Sequence, residues 1–159
     1  MPHQNLVLVV DDDLGMLRGI QRLLRLHAYE PILFSSAEAF KSHTDFGKAV
    51  CVILDINLND GSGIELRHGL KAAGVSTPVI YITGNDNPAV REAALDSGCI
   101  AFLTKPFSVQ ELIEPLKRAG RQLTLLLCAS GLSLGQLANW REAAASCACD
   151  LISNFSMIV

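Results

Sequence analysis

Five short apolar runs punctuate about the first 120 residues of the chain: Leu6–Val10, Ile32–Phe34, Ala49–Leu54, Val79–Ile82 and Ile100–Leu103. Their hydrophobicity is continuous, not alternating, as in a parallel strand whose two faces are both covered by helices. Segments with helical periodicity lie between them. Leu14, Leu17, Ile20 and Leu24 recur at that spacing over Leu14–His27. Ser35 and Glu38 predict a capping box ahead of Phe40. Leu66, Leu70 and Ala73 form one face of a third helix, which Gly74 would end. Asn87 and Pro88 read as cap and first residue of a fourth, ending near Gly98. Ser108 and Glu111 open a fifth, with Val109, Leu112, Ile113 and Leu116 on one face and a kink or early end expected at Pro115. Five βα units in succession predict a doubly wound α/β fold, a five-stranded parallel sheet with helices on both sides.

The pattern dissolves after Gln122. Residues 123–159 are rich in Leu, Ala, Ser and Cys, carry Arg141 as their one basic residue, and are interrupted by Gly131 and Gly135. We expect a domain over residues 5–122 and a separate apolar tail over 123–159, with a helix around Gln136–Ala148. Half of the 159 residues are hydrophobic and 18% are charged, a globular balance. The net charge of -3 gives no global pull toward nucleic acid or an anionic membrane. No apolar stretch approaches the roughly 20 residues of a membrane span; the longest, Leu123–Leu134, is broken by Ser130 and Gly131. No secretory signal is expected, since Met1–Asn5 is polar and the next apolar run ends in three aspartates. A cytoplasmic location is therefore expected. The five cysteines are odd in number and irregularly spaced, which argues against a disulfide framework. Cys147 and Cys149 form a C-x-C pair without a second ligand pair at zinc-site spacing. His3, His27, His43 and His68 read as surface residues.

Ligands of open α/β sheets bind at the carboxyl ends of the strands, so those ends hold the candidate chemistry. The first strand ends in Asp11, Asp12 and Asp13, the third in Asp55, the fourth in Thr83-Gly84 and the fifth in Lys105-Pro106. Carboxylates gathered from Asp11, Asp12 and Asp55 repel one another. A hard divalent cation such as Mg²⁺ relieves that repulsion. Asp55 is then a nucleophile for a phosphoryl group, with Lys105 and the Thr83 hydroxyl to neutralise or hold its oxygens.

These residues carry a resemblance. Val9–Asp13 (VVDDD), Ile53–Asp55 (ILD), Thr83-Gly84 and Phe102–Phe107 (FLTKPF) stand in the order and at the spacing, about 44, 28 and 22 residues, of the receiver domain of two-component response regulators. The sequence resembles that family over residues 5 to about 122. The resemblance implies a flavodoxin-like (βα)₅ fold, and phosphorylation of Asp55 by a sensor histidine kinase. It implies Mg²⁺ held by Asp11, Asp12, Asp55 and the backbone carbonyl of Asn57. Thr83 and Phe102 would form a coupled switch, Lys105 would pair with the phosphoryl oxygens, and Lys105-Pro106 would be a cis peptide. Asn57 and Asn85 stand where the family tunes the lifetime of the phosphate. Asn59 departs from the pattern, since many relatives have proline there, and predicts a more flexible loop after Asp55.

Two other readings compete. Haloacid-dehalogenase-like phosphatases also use a strand-end Asp, Mg²⁺, a Thr or Ser and a Lys. They carry a second Asp two residues later as acid/base, and here that position is Asn57, which cannot transfer protons. A DNA-binding output is disfavoured for this chain because 37 tail residues with a single Arg are poor equipment for gripping phosphates. The tail itself reads three ways: a helical extension that dimerises or docks a partner, the remnant of a longer DNA-binding regulator, or a stretch without designed function. Output is expected around the fourth helix, fifth strand and fifth helix, through protein contacts that include a phosphorylation-dependent homodimer.

Overall fold

The computed structural model describes residues 5–129. His3, Trp140, Arg141, Cys147, Cys149 and the helix expected over 136–148 lie outside them. The chain divides after Gln122. Strands β1 (Leu6–Val10), β2 (Glu30–Phe34), β3 (Cys51–Asp55), β6 (Val79–Thr83) and β7 (Ala101–Thr104) form one parallel sheet in the order β2-β1-β3-β6-β7. Two-residue strands β4 (Asn57–Leu58) and β5 (Gly61–Ser62) make a small antiparallel hairpin after β3. The helices are α1 (Leu14–Leu26), α2 (Ala37–Lys41), α3 (Gly63–Ala72), α4 (Pro88–Asp96) and α5 (Val109–Ala129).

The continuous apolar runs are explained by two cores. Leu8, Val10, Val52, Leu54 and Tyr81 face α2, α3 and α4. Their strand neighbours Val7, Val9, Cys51, Ile53, Ile80 and Ile82 face α1 and α5. Successive residues of a strand point to opposite faces, so a strand covered on both must be apolar throughout. Three strands run further than their apolar pattern. Asp55, Thr83 and Thr104 belong to the ladder because Ile56 N–H donates to the Ile82 carbonyl and Lys105 N–H to that of Thr83. β2 starts at Glu30 and takes in Pro31, which an edge strand tolerates.

Several side chains depart from the helical pattern. Leu14 (58% exposed) and Val109 (47%) are the first residues of their helices, ahead of the stripes that reach the sheet. Ala73 is exposed, and Arg67 takes its place beside Leu66 and Leu70. A buried arginine is invisible to a hydrophobic pattern. It is held here because its guanidinium donates to the Thr77 carbonyl at 3.1 Å and the Gly98 carbonyl at 3.5 Å. The α2 cap is Ser36, not Ser35: Ser36 is extended and its Oγ accepts from Ala39 N–H. Pro115 does not end α5, which continues to Ala129. The ring costs the helix one hydrogen bond near exposed Glu111, while Leu112, Ile113, Leu116 and Ala119 stay buried along the same face. His27 and His68 are exposed, but His43 is half-buried, edge-on to Phe34 and Phe46 in a cluster completed by Phe40.

Gly74 (φ 75°) and Gly98 (φ 82°) close α3 and α4 in the left-handed conformation. Gly63 is required for a different reason: a Cβ there would lie 2.3 Å from the Asp55 carbonyl oxygen, which is fixed in the sheet. Gly63→Ala is expected to destabilise by roughly 2–4 kcal/mol through displaced backbone. Gly69→Ala, in the same helix with open space around it, should stabilise by up to about 1 kcal/mol. Urea midpoints at unchanged m-value check both.

Candidate functional site

The sheet order sets the site. The chain leaves β1 for the edge strand β2, then returns to place β3 on the other side of β1. The crevice where strand order reverses opens at the carboxyl ends of β1 and β3, where Asp11 and Asp55 stand. Asp11 is fully buried and Asp55 nearly so. One carboxylate oxygen of each of Asp11, Asp12 and Asp55 lies within 4.8 Å of the others.

Lys105 reaches this cluster from the end of β7. Its ammonium donates to Asp11 Oδ2 at 2.8 Å and to Asp55 Oδ2 at 2.6 Å, and the Lys105–Pro106 peptide is cis. The remaining oxygens are held by main chain: Asp13 N–H donates to Asp11 Oδ1 at 2.8 Å and Asn57 N–H to Asp55 Oδ1 at 2.9 Å. Half-buried Asp12 accepts from Asn59 N–H at 3.1 Å. Asp13 does not join them. It caps α1, accepting from Gly15 N–H and Met16 N–H, the helix-terminal role that an acidic run often has.

Thr83 is buried, and its Oγ accepts from Asn57 Nδ2 at 3.2 Å and Asn85 N–H at 3.1 Å while donating to the Asn85 carbonyl. Phe102 packs half-buried against the core on the α2–α4 side, with the Arg91 guanidinium 5.0 Å from its ring centre. Neither Arg91 nor the Lys105–Asp11 contact was marked by any pattern in the sequence. In the loop after Asp55, Asn59 N–H donates to Asp12, and the Asp60 carboxylate accepts from Ala37 N–H and Glu38 N–H. A proline at position 59 would have had no N–H to give.

Electrostatics follow from burial. Desolvation raises the Asp11 carboxyl above its ordinary value, against the lowering pull of Lys105 and the Asp13 N–H. Burial alone would depress the Lys105 ammonium, but its bonds to Asp11 and Asp55 outweigh it and the net shift is upward. One ammonium faces three carboxylates, so the pocket carries excess negative charge on oxygen donors alone. That donor set fits a hard divalent cation. Cys51 and Cys99 are free thiols pushed up by burial, inert toward such chemistry. No helix among the described residues is long and apolar enough to cross a membrane.

The raised Lys105 pKa has a stability consequence. Its favourable contribution is full below the unfolded value of 10.5 and is lost as pH rises through the higher folded value. The stability difference between wild type and Lys105→Met should therefore shrink above about pH 10.5. Paired denaturation curves across that range check it, because other alkaline titrations are common to both proteins.

A family profile described as response regulator receiver domain matches residues 7–117. The response regulator protein TodT of Pseudomonas putida F1 is 30% identical over 115 residues, 72% of this chain and 51% of that protein. The transcriptional regulatory protein KdpE of Mycobacterium tuberculosis H37Rv is 35% identical over 120 residues, 75% of this chain and 52% of its own. The chain thus spans about half the length of the curated relatives it matches. Among solved structures, a receiver domain protein from Clostridium thermocellum superposes with a TM-score of 0.70 at 27% identity, over 76% of this chain and 98% of that one. The response regulator StyR gives 0.68 at 30% identity, over 97% and 70%.

Proposed function

This chain belongs to the response-regulator receiver family, and we propose on that premise that Asp55 is its phosphoacceptor, charged by a sensor histidine kinase in a Mg²⁺-dependent reaction. The observation that carries the reading is the Lys105 ammonium bridging Asp11 and Asp55 at a strand-end crevice with excess negative charge. A phosphoryl group arriving at Asp55 meets a cation already in place and a hydroxyl, Thr83, one strand away.

The step balances simply. An Asp55 carboxylate oxygen attacks the phosphorus, the bond to the donor nitrogen breaks, and its electron pair returns to the departing imidazole, which takes up a proton. Lys105 moves from carboxylate to phosphoryl oxygen and offsets the charge gathering there. Asp11, Asp12, Asp55 and the Asn57 carbonyl would hold Mg²⁺, which when bound neutralises further phosphoryl charge.

Thr83 is the link to the surface. Its hydroxyl proton is spent on the Asn85 carbonyl, and redirecting it to a phosphoryl oxygen frees the loop before α4. Phe102 then turns inward and leaves Arg91. Two states a few kcal/mol apart suffice for such a switch around α4, β7 and α5. Asn57 and Asn85, both bonded to Thr83, are placed to govern water access to the phosphate. Output passes through protein contacts, with a phosphorylation-dependent homodimer the form most easily read. We assign residues 5–122 to the receiver, residues 123–159 to a separate segment, and the whole to the cytoplasm. The chain is a signalling receiver that phosphorylates itself and slowly loses the phosphate, not a turnover enzyme.

Asp55→Asn should abolish base-labile phosphate incorporation from acetyl phosphate, and chelation of Mg²⁺ should suppress it at least 10-fold in wild type. Labelling that survives the substitution sinks the assignment. Many turnovers of a small phosphate ester, in place of one stoichiometric event, would favour the phosphatase reading.

A further inference from the structure

We propose that Asp60, which lies outside the cation site, is a positioning residue for it: by clamping the β4–β5 hairpin onto α2, it aims main-chain groups at the carboxylate cluster. The inference rests on the cation reading above and deepens it.

The clamp is built from both oxygens of one side chain. Asp60 Oδ1 accepts from Ala37 N–H at 3.0 Å and Oδ2 from Glu38 N–H at 3.1 Å. These are the first two amides of α2, which is otherwise capped by Ser36 alone. The two main-chain bonds hold the Asp60 carboxyl below its ordinary range although the residue is exposed. One residue before it, Asn59 N–H donates to Asp12 Oδ2. Two residues before that, Asn57 N–H donates to Asp55 Oδ1, and its carbonyl is the main-chain ligand of the proposed site. Across the hairpin, Ser62 caps α3 through Ile64 N–H. The turn between Asn57 and Ser62 is therefore fixed to α2 on one side and to two ligand carboxylates on the other.

This geometry has an energetic consequence. Asp12 is half-buried at the end of β1, and the Asn59 N–H fixes the direction of its carboxylate before a cation arrives. A ligand oriented in advance loses less freedom on binding, and partners that orient ligands are worth a measurable part of metal affinity. With the clamp released, the hairpin keeps buried Leu58 as its anchor in the core but loses its two bonds to α2 at the turn. Asn59 and the Asn57 carbonyl then sample positions that a cation must reorganise.

Ser36 supplies the control. Ser36→Ala removes a cap from the same helix without touching the hairpin, so a merely structural role for Asp60 predicts that both variants behave alike. Asp60→Asn replaces one of the two acceptor oxygens by a donor, and Asp60→Ala removes both. Mg²⁺ affinity measured by calorimetry should weaken about 10-fold in either Asp60 variant, the lower end of what an orienting partner contributes, and stay at the wild-type value in Ser36→Ala. Labelling from acetyl phosphate at saturating Mg²⁺ should return to the wild-type rate, and the Asn59 amide resonance should shift in the metal-free variants. Wild-type affinity in Asp60→Asn, or equal weakening in Ser36→Ala, overturns the proposal while leaving the phosphoacceptor reading intact. A wild type that binds no Mg²⁺ overturns both.

Discussion

The ion pair of Lys105 with Asp11 and Asp55 is the constraint on which the rest depends. It draws together three strand ends that are distant in sequence, at contacts of 2.8 and 2.6 Å. Placing one cation against buried carboxylates leaves the pocket with more negative charge than it can neutralise, on a donor set that fits a hard divalent cation. Every other tie around the site serves the same end. Main-chain N–H groups from Asp13, Asn57 and Asn59 take the oxygens that Lys105 does not, so that carboxylates are buried without being left unsatisfied. Gly63 lets the start of α3 approach the Asp55 carbonyl more closely than a residue with a side chain could.

The pocket is closely packed at its floor and less so toward α4. The floor is the apolar sheet, covered on both faces, in which Val10, Leu54 and Ile82 admit no water. At the rim, Ala94 is the buried residue of α4, and the loop leading into that helix is held through the Thr83 hydroxyl. Thr83, one strand from Asp55, thus joins the site to the helix with the fewest buried residues among α1, α3 and α4.

Much of this was legible in the sequence, because its signals were strong and local. Runs such as Val79–Ile82 admit few assignments other than a doubly covered strand, and the polar residues that close them were conspicuous against so apolar a background. Gly74 and Gly98 marked their helix ends because few other residues accept a positive φ. What escaped was non-local or atypical for its residue type. Arg67 is buried because two carbonyls from distant segments reach it, and no window around position 67 contains them. His43 joined an aromatic cluster assembled from three segments. Pro115 was outweighed by its neighbours' burial on α5. The tie from Asn59 to Asp12 escaped for the same reason as Arg67, since its partner stands 47 residues away.

The central claim is that Asp55, and no other carboxylate of the cluster, becomes an acyl phosphate. Borohydride reduction of the acetyl phosphate-treated protein, followed by peptide mass mapping, reads this directly, since an aspartyl phosphate is converted to homoserine. The account predicts homoserine at position 55 only, dependent on Mg²⁺ during the labelling. Homoserine at Asp11 or Asp12, or none in a protein that has gained phosphate, would contradict it.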